Sequence, residues 1–592
     1  MKTLKGGEFL VKESQFENIF IPEEFSEEQE MIAKTCIDFI KTQVVPNIDK
    51  LDKHDTKLLK ELLQKAGREL GLLGISIPEE YGGSGMDFIS SMRAVEEFGR
   101  GHSFAVTLSA HMGIGTLPIL YYGTEEQKKK YVSKLCTGDW IGAYCLTEPD
   151  SGSDANSGKS KAILSPDEKY YTLNGVKMWI TNGGIADTHI VFAKINEDKD
   201  LSCFIVERAW KGVTLGAEEE KMGIRGSSTV QVYYQDVQVP AENLLGKREE
   251  GFKIALNILN VGRMKLGIAA MGASKKILED AVKYAKERKQ FGTQIANFGA
   301  IKHKLAQMTV KIFAGESLIY RASKNVEDSV KSYLENGQEK AKAEIEGLRQ
   351  FGIEAAIAKV FGSEVLDFVA DEGVQIFGGM GYSAETPVER SYRDARINRI
   401  FEGTNEINRM VIVGEILKRA LKGEIDIMSQ AMAVAKEITL IPDFGTPTSD
   451  YFEIKKQTIK NFKKAILMVA GAGVQKFTDK IKDEQELLML VSDMIIETYA
   501  CESALLRVEK ICKKSISANP ELYKNILDIL IYDAASKIKK YGDDAVNYFA
   551  SGNQKMGMES GLKRFTKTEP VNVISARRII ADRVIELESY PI

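Results

Sequence analysis

Apolar residues recur at helical spacing from about Ser26 to Trp140. Leu58, Leu62 and Ala66 stand four apart with charged residues between them, which predicts helices that bury one stripe. The stretch Ile75–Met86 (ISIPEEYGGSGM) interrupts this with Pro and glycines and predicts a loop. Val106–Leu120 is poor in charge and rich in small residues, as a buried helix would be. From Gly142 to Lys247 the period shortens to two. Val230, Val232 and Tyr234 alternate with Gln231 and Tyr233 inside Thr229–Val239, and His189–Lys194 and Leu201–Val206 read as further strands. Tyr170–Leu173 and Val176–Thr181 flank Asn174-Gly175, a pair suited to the positive φ angles of a type I′ hairpin turn. Short connections predict a small, mostly antiparallel β-domain.

Helical spacing returns from Glu250 to Leu421. Ile277, Leu278, Ala281, Val282 and Ala285 form a core-facing stripe. The charge-rich stretch Asn325–Gly347 predicts a solvated helix end or a long loop, and Pro442–Asp450 (PDFGTPTSD) a linker. Beyond it, Ile459, Phe462, Ile466 and Val469, then Leu487, Val491, Met494 and Leu505, mark new amphipathic helices. The expected fold class is mainly α with a β-domain. The expected domains are 1–141 helical, 142–248 β, 249–425 a helical bundle, and 426–592 an additional helical domain. The order is not alternating βα, and no GxGxxG follows a strand, which disfavours a Rossmann site.

Composition narrows the functional classes. The 592 residues carry 80 Lys+Arg against 84 Asp+Glu, a net charge of −4, which argues against a protein held by nucleic-acid phosphates. Only 13 prolines argue against long disordered linkers. Six scattered cysteines without CxxC spacing point to reduced thiols in a cytoplasm-like compartment. Five dispersed histidines form no HExxH or HxH cluster, so no metal site is expected. The N-terminus lacks a signal-peptide core, and no transmembrane helix is expected.

Three stretches could carry chemistry. Ala143–Ser157 (AYCLTEPDSGSDANS) offers hydroxyls and free N–H groups to a phosphorylated ligand, or is a self-capped turn. Lys177–Gly184 (KMWITNGG) places Trp179 and Thr181 on one strand face. There an aromatic beside a hydroxyl can cover a planar ring, unless Trp179 is packed in the β-core. Gln375–Arg409 holds a glycine-rich turn, a charge cluster and Phe401-Glu402-Gly403-Thr404. A Glu between a large apolar residue and Gly, if desolvated, becomes a stronger base; alone it reads first as a solvated surface residue.

Together, in this order and spacing, the three stretches resemble the acyl-CoA dehydrogenase flavoproteins over about residues 30–420. ILNVGR (258–263), NFG (297–299), RIFEGTNEI (399–407), the length and the final helical domain resemble the very-long-chain branch and its bacterial relatives. The resemblance implies an N-terminal helical domain, a β-barrel-like middle domain, a four-helix bundle and FAD as cofactor. It implies that Tyr144, Leu146, Thr147, Gly152 and Ser153 surround the flavin ring and diphosphate, and that Trp179, Ile180 and Thr181 flank the flavin. It implies that Arg288, Gln290 and Phe291, and the turn Gln375, Ile376, Phe377, Gly378 and Gly379, reach a neighbouring subunit's FAD, with Thr404, Asn405 and Glu406 as further contacts. Apart from the resemblance, Arg288 reads as a helix end facing the carbonyl dipole, with Gly292 as cap. Ser153, Asn260, Arg263 and Gly403 match positions that touch the CoA substrate, with Asn260 departing from the Asp of some relatives.

Glu402 matches the catalytic base. Some relatives carry the base one position before the Arg of NVGR, which here is Gly262 and cannot act. The resemblance then implies α-proton removal by Glu402, hydride transfer from the next carbon to the flavin, and a trans-2-enoyl-CoA product. Electrons would pass to an electron-transferring flavoprotein. An acyl-CoA oxidase using oxygen, and a non-catalytic FAD-binding assembly or nucleic-acid-associated relative, are the alternatives. Small residues Ser109, Ala110, Gly113 and Gly115 suggest an open tunnel and a long-chain preference. The extra domain suggests a homodimer in place of a tetramer. The Lys455, Lys456, Lys460, Lys463 and Lys464 face could touch a membrane peripherally or be merely solvated.

Overall fold

The computed structural model describes residues 4–440 and 448–592; of the expected linker Pro442–Asp450, the part up to Pro447 lies outside the described residues. The first helical region contains Glu27–Phe39, Thr56–Arg68, Phe88–Phe98, Ser103–Ala110, Leu117–Tyr122 and Glu125–Thr137. Local chemistry sets their starts. Ser26 with Gln29, and Thr124 with Gln127, form reciprocal capping boxes, and Asp87 accepts from the Ser90 amide. Thr56–Arg68 buries Leu59, Leu62, Leu63 and Ala66, while Leu58 is half-buried. The low-charge segment is a helical run with one π-turn, His111–Gly115, at its middle. His111 is buried there: its Nδ1 accepts from the Gly142 amide (3.1 Å), and its Nε2 lies 2.9 Å from the Leu135 carbonyl. It is a satisfied core histidine that ties this helix to the first strand.

The middle domain is built from β1 (Gly142–Cys145), β2 (Lys161–Leu164), β3 (Tyr170–Thr181), β4 (Thr188–Ile195), β5 (Ser202–Glu207), β6 (Val213–Glu218), β7 (Thr229–Pro240) and β8 (Leu244–Leu245). The order is β6-β7-β3-β2-β4-β5-β8, with β1 paired to β4. Pairing is antiparallel except β1 and β2, which run parallel to β4. The alternation in β7 points Val230, Val232 and Tyr234 inward as expected. The Asn174-Gly175 hairpin is not formed. β3 runs straight through the pair, which sits at a register shift against β7. Asn174 exchanges hydrogen bonds with Asp236 instead, and a Cβ on Gly175 would lie 2.2 Å from Ser160 Oγ. Glycine serves close approach and a bulge here.

The bundle comprises Gly251–Glu287, Gly299–Glu335, Gly352–Phe377 and Asn405–Leu421. The stripe from Ile277 to Ala285 is buried throughout. Gly267 and Gly362 let two bundle helices touch backbone to backbone: a Cβ on Gly362 would meet Gly267 Cα at 2.9 Å. The charge-rich 325–347 stretch is a helix end and the start of the next helix, Lys340–Gln350, with no long loop. The final helices, Tyr451–Phe477, Gln485–Lys513, Pro520–Phe549, Gly552–Phe565 and Val573–Leu587, share one continuous core with the bundle.

Two expectations change here. The lysine face is in large part an internal seam, with Lys460 left exposed at its rim. Lys455 pairs with Asp528, Lys456 with Glu509, Lys463 with Glu502, Lys464 with Glu437 and Lys460 with Glu13, and Lys455 and Lys463 are buried. Its partners lie far away in sequence, which no local pattern reveals. Residues 4–25, assigned above to the N-terminal helical domain, pack between the bundle and the last domain. Phe9 meets Tyr499, the Gly7 amide donates to Glu354, and Glu23 accepts from the fully buried Arg507. Ser103–Tyr122 and Gly251–Glu287 are long and apolar enough to span a bilayer, but their apolar windows are mostly buried within the protein, as core helices are.

Candidate active site

A cavity lies between the first helical region, the bundle and the sheet domain. One wall is a stripe of the helix Gly251–Glu287: Gly262, Lys265, Leu266, Ala269, Ala273 and Ile277. Ala105, Val106, Ser109, Ala110 and Gly113 face it. Thr181 and Glu402 also line it.

Glu402 sits just before the helix Asn405–Leu421, in a turn where Glu402 (φ 59°) and Gly403 (φ 81°) are both left-handed. The residue keeps partial exposure, yet Oε2 is sealed from solvent and has no hydrogen-bond partner among the described residues. That carboxylate desolvation pushes its pKa up to about 7, against the opposing pull of Arg263 and Lys359. The backbone of the turn is tied down from behind. Arg263 Nε donates to the Glu402 carbonyl (3.3 Å), Lys359 Nζ to the Gly403 carbonyl (2.7 Å), and Asn408 Nδ2 to the Gly403 and Thr404 carbonyls (2.8 and 3.0 Å). A desolvated, unpaired carboxylate in an apolar cavity can take a proton from a bound carbon acid.

The residues expected at a flavin fall into two sets, and of them Thr181 lines the cavity. Trp179 is 54% exposed at φ 59°, on a register shift that turns it out of the sheet, so it is not a core tryptophan. The buried Tyr144 hydroxyl lacks a partner, and Thr147 is half-buried. Gly152 and Ser153 are exposed, and nothing lies within 4 Å of a Cβ built on Gly152, Gly378 or Gly379. These open aromatic, hydroxyl and glycine positions fit a planar ring with a diphosphate. Leu146, Ile180, Ile376 and Phe377, by contrast, turn their side chains into cores, Phe377 stacking on Tyr284. They leave only backbone for a ligand. Asn405 is buried against Lys359, Ser363 and Glu364, so its side chain is committed within the protein. Thr404 caps its helix through the Ile407 amide, and Glu406 is exposed in the first turn. Asn260 accepts from Arg263 (3.0 Å), and Arg263 itself is buried beside Glu402.

Arg288, Gln290 and Phe291 stand apart from this cavity's lining, on the surface. Phe291 is 95% exposed. Gly292 does not cap the helix: Phe291 (φ 50°) and Gly292 (φ 78°) turn a two-residue hairpin between Lys289–Gln290 and Thr293–Gln294, as in type I′. Gln375, Gly378 and Gly379 are exposed as well.

Sequence reasoning missed four lysine and amide positions. Lys177 is fully buried and donates to Glu148 and to the Leu146 and Phe192 carbonyls, fastening the 146–153 loop to the sheet. Lys359 and Asn408 fasten the Glu402 turn, and Lys265 lines the cavity with no partner for its Nζ among the described residues. The only trace was a lysine inside an otherwise apolar run, as in AAIAKVFG.

This arrangement of helical region, sheet domain and bundle around a desolvated carboxylate defines a flavin-dependent oxidoreductase fold. Residues 26–139, 143–237 and 249–417 match the acyl-CoA dehydrogenase N-terminal, middle and C-terminal domains, and 461–564 match a further acyl-CoA dehydrogenase C-terminal domain. The chain belongs to the acyl-CoA dehydrogenase family, and is an FAD-dependent oxidoreductase. It is 43% identical over 593 residues to a probable acyl-CoA dehydrogenase of Bacillus subtilis (strain 168), covering 99% of this chain and 98% of that one. The very long-chain specific acyl-CoA dehydrogenase of Rattus norvegicus mitochondria is 38% identical over 83% of this chain and 75% of its own length. A crystal structure of acyl-CoA dehydrogenase complexed with FAD from Bacillus anthracis superposes with a TM-score of 0.96 at 43% identity, covering all of both chains.

Proposed function

We propose that this enzyme oxidises long-chain fatty acyl-CoA to trans-2-enoyl-CoA in fatty acid β-oxidation, with Glu402 as the base. The observation that carries this is the unpaired Glu402 carboxylate at the head of an apolar cavity. The cavity follows one helix stripe from Gly262 to Ile277. At 1.5 Å per residue that stripe is about 22 Å long, comparable to an extended palmitoyl chain. Glu402 takes the proton next to the thioester carbonyl. The acyl chain excludes water from the carboxylate, and Arg263, Lys359 and Asn408 keep its turn from relaxing. Bound FAD supplies the hydride acceptor. Trp179, Thr181, Tyr144 and Thr147 would hold its ring, and Gly152 and Ser153 its phosphates. Ser153, Asn260, Arg263 and Gly403 are assigned to the CoA side, with Arg263 acting from a buried position behind the turn.

A homodimer would complete each site. Arg288, Phe291 and the Gln375–Gly379 turn are exposed and free to reach a second copy's FAD, and the last domain covers an outer bundle face. An electron-transferring flavoprotein is the proposed acceptor, and the cytoplasm the proposed compartment. Anaerobic mixing with palmitoyl-CoA should bleach the flavin, and Glu402→Gln should slow that bleaching by several orders of magnitude while retaining FAD. Wild-type bleaching in Glu402→Gln would overturn the assignment. Rapid reoxidation of the reduced enzyme by oxygen would move the acceptor to an oxidase.

A further inference from the structure

The turn that carries Glu402 has an unusual foundation. Lys359 lies in the helix Gly352–Phe377 and is fully buried, yet no carboxylate among the described residues is hydrogen-bonded to it. Its Nζ donates to the Gly403 carbonyl and to Asn405 Oδ1, both at 2.7 Å. Asn405 Nδ2 in turn donates to Ser363 Oγ and Glu364 Oε1, each at 3.1 Å. Glu364 pairs with Arg409 (2.9 Å), and Arg409 with Asp493 of the last domain (2.8 Å). An unbroken polar chain thus runs from the last domain to the peptide next to the base.

We propose that Lys359 is a positioning residue for the reaction: it holds the left-handed Glu402–Gly403 turn by its carbonyl and supplies a buried positive charge behind the carboxylate. The inference rests on Glu402 being the base. Two consequences of burying an ammonium here bear on proton abstraction. A left-handed Glu is unfavourable and persists only where its surroundings over-determine it; Lys359, Arg263 and Asn408 together occupy the carbonyls of residues 402–404. The second is electrostatic. The charged groups around Glu402 are Arg263 from one bundle helix and Lys359 from another, with the Tyr144 hydroxyl on β1 sensing the carboxylate. Lys359 itself is faced by Glu402, Arg263, Glu406 and Glu364. Burial lowers the Lys359 pKa to about 8 and raises that of Glu402 to about 7; the attraction between the two opposite charges works against that burial, so each stabilises the other. Without Lys359, only Arg263 opposes desolvation of the base.

The test uses the FAD-loaded enzyme and the pH dependence of anaerobic flavin reduction by palmitoyl-CoA. Lys359→Gln keeps a hydrogen-bond donor and loses the charge. Its rising limb should move alkaline by at least half a pH unit, with the rate at pH 7 down ten- to a hundredfold, KM within threefold of wild type and FAD content unchanged. Lys359→Arg should return the limb toward the wild-type position. Lys359→Met removes donor and charge, and should lower the rate further. If Lys359→Met does not fold, the Gln and Arg pair decides. A folded Lys359→Gln whose limb does not move, whatever its melting temperature, overturns the proposal. Glu402→Gln separates the two readings. A dead Glu402→Gln with an unmoved Lys359→Gln limb refutes only the Lys359 role, whereas an active Glu402→Gln refutes the base itself.

Discussion

Gly262 makes room for Glu402: a Cβ built on Gly262 would lie 2.6 Å from Glu402 Oε2 and 2.8 Å from its Cδ. The position that cannot supply a base is thus the one that lets Glu402 reach over the helix. Gly262→Ala should fold, because the group it displaces is the free end of a side chain. The carboxylate must shift, however, and a displacement of about 1 Å in such a site costs on the order of a hundredfold in rate. We expect flavin reduction to fall by about that factor with FAD content intact; an unchanged rate would mean that the carboxylate works from another place.

The pH profile carries a sign. Burial holds the Glu402 pKa up at about 7, and only the deprotonated form accepts a proton. Flavin reduction should therefore rise as pH climbs through about 7 and level off above it. Stability runs the other way: a carboxyl raised on folding favours the fold when protonated, so its contribution is lost as pH rises through about 7. Rapid-mixing kinetics between pH 5.5 and 9 check the first slope, and melting of Glu402→Gln against wild type checks the second.

The proposed chain-length preference is testable at Ala273, which lines the cavity eleven residues along the helix from Gly262, about 16 Å farther along its axis. Ala273→Phe should obstruct the far end. Losing contact with two or three methylenes at about 0.8 kcal/mol each predicts a kcat/KM for palmitoyl-CoA down roughly thirtyfold, with butyryl-CoA little changed. Equal losses for both substrates would place the chain elsewhere.

Lys265 bears an unpartnered Nζ in the cavity wall, and burial drops its pKa to about 8. Below that pH the fold carries an unpaired charge, a penalty on the order of 3 kcal/mol that fades as pH rises from about 8 toward the lysine's ordinary range. Lys265→Met should therefore melt higher than wild type at pH 7, and the gap should close toward pH 10. A gap that is constant with pH would show that folding does not shift the Lys265 pKa.

The sequence alone determined the order of helical and sheet regions, the strand faces of β7, the bundle stripe from Ile277 to Ala285 and the candidate base. Each is written in contiguous residues, because period and motif are local properties. What only the tertiary structure decided depends on partners distant in the chain. Whether Asn174-Gly175 turns or bulges was settled by Asp236 and Ser160. Which lysines of the 455–464 face turn into a seam was settled by distant carboxylates such as Asp528 and Glu502, while Lys460 stays exposed. Ile376, Phe377 and Asn405 stand in the motifs yet point inward, since one face of each helix end must fill the core. Lys359 and Gly262 matter to Glu402 only because three segments, some 40 to 140 residues apart, converge on one turn. A lysine's partner and a glycine's missing Cβ acquire meaning only when packing brings another chain segment within a few ångströms.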